Sequence, residues 1–190
     1  MTEALPLFPL QVVLVPGAAL GLRVFEARYL DLVRECGRSG SGFGISLLLE
    51  GDGAGARAVP AAYGTEARIE DFGTGSDGLL TLRVRGARRF HARSVRVRDD
   101  GLQVADVEWR GPDVDAPLRP EHALLATVLE RVLERVKDAD AVHRQMRLDD
   151  AAWVGWRLAE LLPLEAMQRQ ALLQEDDPHA RLDRLLALMP

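Results

Sequence analysis

The sequence predicts an α+β protein in which a small β-barrel is followed by a bundle of helices. In residues 1–113, short runs alternate apolar and polar side chains and end at glycine-rich turns, which is typical of strands in a closed or half-closed barrel. In residues 114–190, apolar side chains recur at spacings of three and four, the period of a helix with one buried face. We therefore expect a β-rich part of about six strands and one helix at 1–113 and a helical part at 114–190, joined in one domain.

The first residues predict two strands and the start of a helix. Prolines at positions 6, 9 and 16 exclude a continuous helix, because proline lacks the N–H donor and restricts the residue before it. The β-branched run at residues 12–15 predicts a first, buried strand, and residues 20–25 predict a second strand that places Phe25 in the core. A helix is expected at residues 26–36, since apolar side chains then fall at helical spacing and Glu26 lies at the positive end of the helix dipole.

Further strands are expected in the β-rich part, at residues 43–50, 64–72, 79–85, 90–98 and 102–109. Glycine-rich turns separate several of them, and the turn at residues 99–101 ends in Asp-Gly, a strong hairpin signal. The glycine tract at residues 51–56 predicts a loop, because it has neither the lysine nor the following helix of a phosphate-binding loop. Residues 111–117, which contain two prolines, predict a linker.

Four helices are expected in the second part. An apolar stripe at residues 124–136 follows Pro120, and proline is favoured in the first turn of a helix. A second helix is expected at residues 151–162, and a third runs from Pro163 to about residue 174. The last helix begins at Asp177-Pro178, where the aspartate can cap the helix and the proline occupies its first position.

The composition excludes several classes of protein. At 190 residues and 47% hydrophobic content the chain can bury a core, and a net charge of −5 gives no general attraction to nucleic acid or to an anionic membrane. Cys36 is the single cysteine, so neither an intramolecular disulfide nor a cysteine-based metal site can form. No apolar run reaches the length of a membrane span, and the N-terminus lacks the pattern of a signal peptide. We therefore expect a cytoplasmic protein without a membrane partner.

The usual signatures of catalysis are missing from the sequence. No phosphate-binding loop is present, and the single lysine, Lys137, stands in a charged helical segment where it stays protonated and cannot activate a serine. The four histidines, at 91, 122, 143 and 179, show no metal-ligand spacing. Paired acidic residues such as Asp149-Asp150 and Asp176-Asp177 stand where helix caps are expected. The sequence thus predicts no enzyme, no catalytic residues, no metal and no cofactor.

Several short segments follow one another in a specific order along the chain. They read PLFPL at 6–10, VLVPG at 13–17, LRVFEARY at 22–29, GTEARI at 64–69, GARRF at 86–90 and LLPL at 161–164. In order and spacing these segments resemble the N-terminal, substrate-binding domain of Lon-type ATP-dependent proteases, and the resemblance covers nearly the whole chain. It implies a PUA-like β-barrel followed by a helical bundle.

The same resemblance implies a function without catalysis. The Lon domain binds polypeptide, so the expected partners are unfolded or damaged polypeptides or a protease, and a homo-oligomer is compatible with the sequence. The sequence contains no ATPase or protease signature. The expected role is therefore that of a stand-alone binding module, an adaptor or chaperone-like protein linked to proteolysis.

Four residues are candidates for peptide binding. Trp153 and Trp156 lie on the polar side of the helix expected at 151–162, and they predict either a partner surface or a second packing face. Arg28 and Tyr29 stand at the start of the first helix, where they can either orient that helix against the barrel or line a groove.

An arginine-rich segment supplies an alternative hypothesis, RNA binding. Seven arginines and no acidic residue lie between positions 83 and 98, and several proteins with the PUA-like fold implied by the resemblance bind RNA. The candidate contacts are Arg83, Arg85, Arg96 and Arg98. Against this hypothesis, the segment lacks the interleaved exposed aromatic residues on which RNA bases stack, so nucleic acid is the less favoured partner.

Overall fold

The computed structural model describes residues 3–51, 58–136 and 146–189. The chain divides into two compact units, Met1–Gly111 and Pro112–Pro190. The first unit contains all six strands of the described chain and one helix, and the second unit contains the other helices. The α+β class predicted from the sequence is confirmed.

The first unit, which we call the β unit, is built on one sheet. Its elements are β1 Glu3–Leu10, β2 Ala19–Val24, α1 Ala27–Ser39, β3 Phe43–Glu50, β4 Val59–Thr74, β5 Leu80–Val97 and β6 Gln103–Trp109. The strand order is β2-β5-β4-β3-β1-β6, and an additional pairing joins β6 to β5. Five strands therefore close into a barrel, while β2 lies outside that ring with β5 as its paired neighbour.

The first strand lies earlier than the sequence predicts, so the expected strand at residues 12–15 is wrong. β1 instead contains Pro6 and Pro9. Residues 3–6 are in register with β6 alone and residues 7–10 with β3 alone. Because alternate N–H groups of a strand point away from a single neighbour, a proline can be accommodated in each half without loss of a ladder bond.

The apolar run at residues 12–15 belongs to a loop that is partly buried. Leu14 and Val15 are buried although they belong to no strand. The Thr65 hydroxyl of β4 donates to the Leu14 carbonyl at 2.6 Å, and the Gly17 N–H donates to the Gly86 carbonyl at 2.8 Å. A Cβ atom on Gly86 would lie 2.3 Å from the Val15 carbonyl oxygen, so only glycine lets the loop approach β5 this closely.

β5 is one strand of 18 residues, so the prediction of two strands at 79–85 and 90–98 is wrong. Its first half pairs with β2 on one side and β4 on the other, and its second half pairs with β6. This change of neighbour along a single long strand closes the barrel. Its core side chain Phe90 lies against Gly64, where an added Cβ would be 2.4 Å from the ring.

Side chains alternate along β2, and this alternation corrects one expectation. Leu22 and Val24 are buried, whereas Gly21 and Arg23 are exposed. Phe25 follows one residue after Val24 and therefore points away from the core. Its side chain is 67% exposed, so the prediction that Phe25 is a core residue is wrong.

The second unit, which we call the helical unit, contains a short 3₁₀ turn and four α-helices within the described residues. The turn is Pro120–His122, and the helices are α2 Ala123–Leu133, α3 Ala151–Leu161, α4 Ala166–Gln174 and α5 Pro178–Leu188. α2 buries Leu125, Leu129 and Leu133, which are spaced by four, while Leu124 is exposed. The buried stripe is thus narrower than the sequence predicts.

Aspartates cap two of these helices, as the sequence predicts. The Asp150 carboxylate accepts hydrogen bonds from the N–H groups of Ala152 and Trp153 at the start of α3. The Asp177 carboxylate accepts from His179 and Ala180 at the start of α5, and Pro178 occupies the first helical position. Across residues 3–51, 58–136 and 146–189, no helix combines the length and apolar character that a membrane span requires.

Candidate polypeptide-binding surface

Tyr29 is part of the packing of the β unit. Its ring stacks on that of Phe8 of β1, with 3.9 Å between the ring centroids, and its side chain is buried. Burial raises the pKa of the Tyr29 hydroxyl above its usual 10.0, because the ionised form would lose hydration. This contact fixes the first turn of α1 against the sheet.

Arg28 fastens the same helix to the hairpin between β5 and β6. Its Nη1 donates to the Gly101 carbonyl at 2.9 Å, and its Nε donates to the Glu26 carboxylate at 3.0 Å. Its guanidinium carbon also lies 4.7 Å from the centroid of the Tyr29 ring, within cation–π distance. Arg28 and Tyr29 therefore have a clear structural role, and peptide contact through them stays a prediction.

Trp156 belongs to a buried cluster in the helical unit. Its indole N–H donates to the Asp113 carboxylate at 2.7 Å, and the Arg181 guanidinium lies 3.5 Å from its ring centroid. Arg181 is fully buried and forms two hydrogen bonds to the same carboxylate, at 2.8 and 3.2 Å. The Trp156 side of α3 is thus a second packing face. Trp153 is half-buried, and a peptide contact there stays a prediction.

Asp113 and Arg181 are the residues of this cluster that sequence reasoning missed. Asp113 lies in the segment expected to be a linker, yet its side chain is only 8% exposed. Arg181 stands beside Leu182 and Leu185 on the buried side of α5. An arginine at a position where the helical period requires an apolar side chain is the signal that could have revealed it.

The arginine-rich segment meets acidic side chains from neighbouring strands. Arg83 and Arg85 of β5 both face the Glu70 carboxylate of β4, and Arg98 lies 3.2 Å from Asp100. The hydrogen bond from Arg85 lowers the pKa of Glu70 below its usual 4.5, since it stabilises the charged form. The pairing of β4 with β5 brings Glu70 to Arg83 and Arg85, whereas Asp100 follows Arg98 by two residues in the chain.

Other arginines of the same strand are paired in the same way. Arg88 donates to the buried Glu66 carboxylate at 2.9 Å, and Arg93 lies 2.6 Å from Glu108 of β6. Arg96 is exposed. This pairing reduces the positive charge that the segment presents to a polyanion.

A metal-binding arrangement is not found in the described residues. Within residues 3–51, 58–136 and 146–189, no three or more His, Cys, Asp or Glu side chains are placed to hold a metal ion. Lys137, His143 and residues 52–56 of the glycine tract lie outside the described residues. A shallow depression on the exposed side of α1 is lined by charged and hydroxyl side chains.

Two aromatic side chains of the β unit are mostly exposed. Phe25 follows the last residue of β2, and Phe72 of β4 is 74% exposed. Phe72 is in register with Leu82 of β5, which is in register with Leu22 of β2. With strands about 4.8 Å apart and about 3.4 Å per residue, the backbone positions of Phe25 and Phe72 lie about 14 Å apart. We call the part of the sheet that carries both, residues 19–25, 68–74 and 80–85, the three-stranded segment.

Comparison with known proteins relates nearly the whole chain to one family. Residues 4–190 match the model of the ATP-dependent protease La (LON) substrate-binding domain. The crystal structure of a Lon N-terminal domain protein from Xanthomonas campestris is 62% identical, with a TM-score of 0.84 and 99% of each chain covered. The N-terminal domain of a Mycobacterium avium complex Lon protease shares the fold at 18% identity, with a TM-score of 0.67 and 97% of each chain covered. No protein with curated annotation matches the chain.

Proposed function

Because the chain belongs to the Lon substrate-binding domain family, we propose that it binds non-native polypeptides through exposed apolar side chains and performs no reaction on them. In this proposal the protein is a binding module that holds unfolded or damaged chains, as an adaptor or chaperone-like partner of a protease. Substrate binding is what the family name states for the domain.

One observation supports the proposal most directly: the exposure of Phe25 and Phe72 on the three-stranded segment. Burying a phenylalanine side chain completely contributes about 1.5–3 kcal/mol, and most of each ring is still accessible to water. By register Phe72 shares the sheet face of Leu82 and Leu22, whereas Phe25 lies on the opposite face. A client that covers either ring gains affinity without any requirement for a particular sequence. Weak selectivity of this kind suits a protein that binds many unfolded chains.

RNA binding receives less support from the arrangement of charges. Binding to phosphates requires unneutralised basic side chains, whereas Arg83, Arg85 and Arg98 each lie beside a carboxylate. We therefore keep polypeptide binding as the proposed function and use RNA as a competing ligand in its test.

The test uses a fluorescently labelled globular protein that has been reduced and carboxymethylated so that it cannot refold. We expect it to bind, with an affinity that changes little between about 50 and 200 mM salt, because apolar burial is not screened. Replacing both Phe25 and Phe72 by serine should weaken binding about tenfold or more. The matched control is Val114→Ser, which removes a 75% exposed apolar side chain from the helical unit and should leave binding unchanged.

Three results would contradict the proposal. The first is that the unfolded probe does not bind although the protein is folded. The second is that the double serine variant binds as tightly as the original, and the third is that structured RNA binds instead of the probe. In the last case, affinity should fall by orders of magnitude over the same salt range.

A further inference from the structure

Among the strands of the described residues, β2 has a second edge that pairs with no neighbour. β2 pairs with β5 on one side, and it lies outside the ring formed by β5, β4, β3, β1 and β6. Successive backbone groups of a strand point alternately to its two sides. Alternate N–H and C=O groups of residues 20–24 therefore point away from β5, and no other hydrogen-bond partner for them occurs in the described part of the chain.

This edge lacks the features by which proteins usually block a strand edge. Proline, a bulge and several charged side chains are the common devices, whereas residues 20–24 read Leu-Gly-Leu-Arg-Val and pair with β5 in regular register. The edge of β4 at residues 68–74 is different. It carries a register irregularity between Ile69 and Asp71, and the Asp71 carboxylate accepts a hydrogen bond from the next backbone N–H. β2 is thus the less protected of these two edges.

The face of β2 that carries Gly21 and Arg23 is open. Gly21 and Arg23 are exposed, and a Cβ atom built on Gly21 would meet no atom within 4 Å. An added strand would lie about 4.8 Å from β2, at the usual distance between neighbours in a sheet. Phe25 follows directly at the end of the strand, where its exposed ring can cover the end of a bound segment.

We propose that a client polypeptide binds to this edge as an additional β-strand of the three-stranded segment. The inference rests on the proposed function, and it specifies the binding mode. Backbone hydrogen bonds supply affinity that does not depend on client sequence, and alternate client side chains lie beside the two faces of β2. One face of β2 carries the half-buried Leu20 and the buried Leu22 and Val24, and the other carries the exposed Gly21 and Arg23. A client strand that continues this pattern alternates apolar residues, which extend the buried face, with small or acidic residues.

The charges beside the edge favour a client over a second copy of the chain. On the face of Gly21 and Arg23, Arg83 is in register with Gly21 and Arg85 with Ala19. Arg23 forms an ion pair with Asp77, and Arg83 and Arg85 both face the Glu70 carboxylate, so two carboxylates pair with three arginines on this face. A second copy paired through the same edge would bring the same arginines to the same face, and like charges would repel. An acidic residue of a client is attracted to these arginines instead.

The test uses a synthetic peptide of about eight residues that alternates leucine or valine with serine or aspartate. Two derivatives carry N-methyl groups on alternate residues, one on the odd set and the other on the even set. Only one set of N–H groups can face β2 at a time, so we expect one derivative to bind about tenfold or more weakly and the other to bind like the parent peptide. Amide hydrogen exchange at residues 20–24 should slow on binding, while exchange at residues 68–74 should not.

Each contrary result has a separate meaning. If both derivatives bind like the parent peptide and residues 20–24 show no protection, the edge mode is wrong although polypeptide binding stands. If neither the peptide nor the carboxymethylated protein binds, the proposed function itself fails. If sedimentation shows that the protein dimerises and that the dimer protects residues 20–24 without peptide, a second copy occupies the edge and the inference is overturned.

Discussion

The buried carboxylate of Asp113 should be essential for the stability of the helical unit, and Asp113→Asn tests this with little change of shape. The carboxylate accepts two hydrogen bonds from Arg181 and one from Trp156, at 2.7–3.2 Å. Asparagine keeps one acceptor oxygen but turns an NH₂ group toward donors, and it leaves the fully buried Arg181 without its counter-charge.

The structure sets the size of the expected effect. Breaking a buried ion pair on one side costs about 3–5 kcal/mol. We expect the lower end, about 3 kcal/mol, because Arg181 also donates to the carbonyl oxygens of Glu175, at 2.6 Å, and Leu172, at 3.4 Å. Such a loss is a large fraction of the stability of a unit of this size.

The assay is urea unfolding followed by far-ultraviolet circular dichroism, which reports mainly on the helices. The control is Asp115→Asn, the same substitution at an exposed residue of the same segment, which should change the free energy of unfolding by less than about 0.5 kcal/mol. Combining Asp113→Asn with Arg181→Met should recover part of the loss, since no unpaired charge then stays buried. The reasoning is refuted if the two asparagine variants are equally stable, or if the added Arg181→Met lowers stability further.

Two further predictions concern the β unit, and urea unfolding measures both. Gly86→Ala should lower the free energy of unfolding by more than about 2 kcal/mol, because the new Cβ meets the Val15 carbonyl. The control, Gly37→Ala in α1, meets no atom within 4 Å and should be neutral or stabilising. Equal effects of the two substitutions would contradict the role of close approach at Gly86. Arg85 lowers the pKa of Glu70, so this carboxylate adds stability that is fully present above pH 4.5 and is lost as the pH falls through its lowered value. Glu70→Gln should therefore reduce the stability that is lost between pH 5 and pH 3. The reduction should be less than about 1 kcal/mol, because the pair is partly exposed. If the variant loses as much stability over this range as the original protein, the pair contributes nothing.

Helix caps and turns could be predicted from the sequence because they depend on neighbouring residues. The start of α5 at Asp177-Pro178 requires only a side-chain acceptor and a residue without an N–H. β3 occupies residues 43–50, as the sequence predicts. The strand expected at residues 12–15 failed, since an apolar run signals burial but not which backbone groups it pairs with.

For the candidate binding residues, too, the sequence predicts some features and only the fold determines others. The helical wheel placed Trp156 on a second face of α3, yet only the fold brings Asp113 and Arg181 to that face. The exposure of Phe72 could not be read from its strand pattern either. Phe72 is in register with the buried Leu82, so its exposure depends on the tertiary arrangement and not on the strand pattern.

The sequence by itself determined the class of the fold, most element positions and the family, because periodicity, caps and the order of short segments are local properties of the chain. The tertiary structure alone decided which strands close the barrel, which edge of β2 stays unpaired and which carboxylates neutralise the arginines. These features depend on contacts between residues far apart in the chain, such as Arg85 with Glu70 and Arg181 with Asp113. A charge or a hydrogen-bonding group acquires its role only when folding sets its neighbours and its access to water.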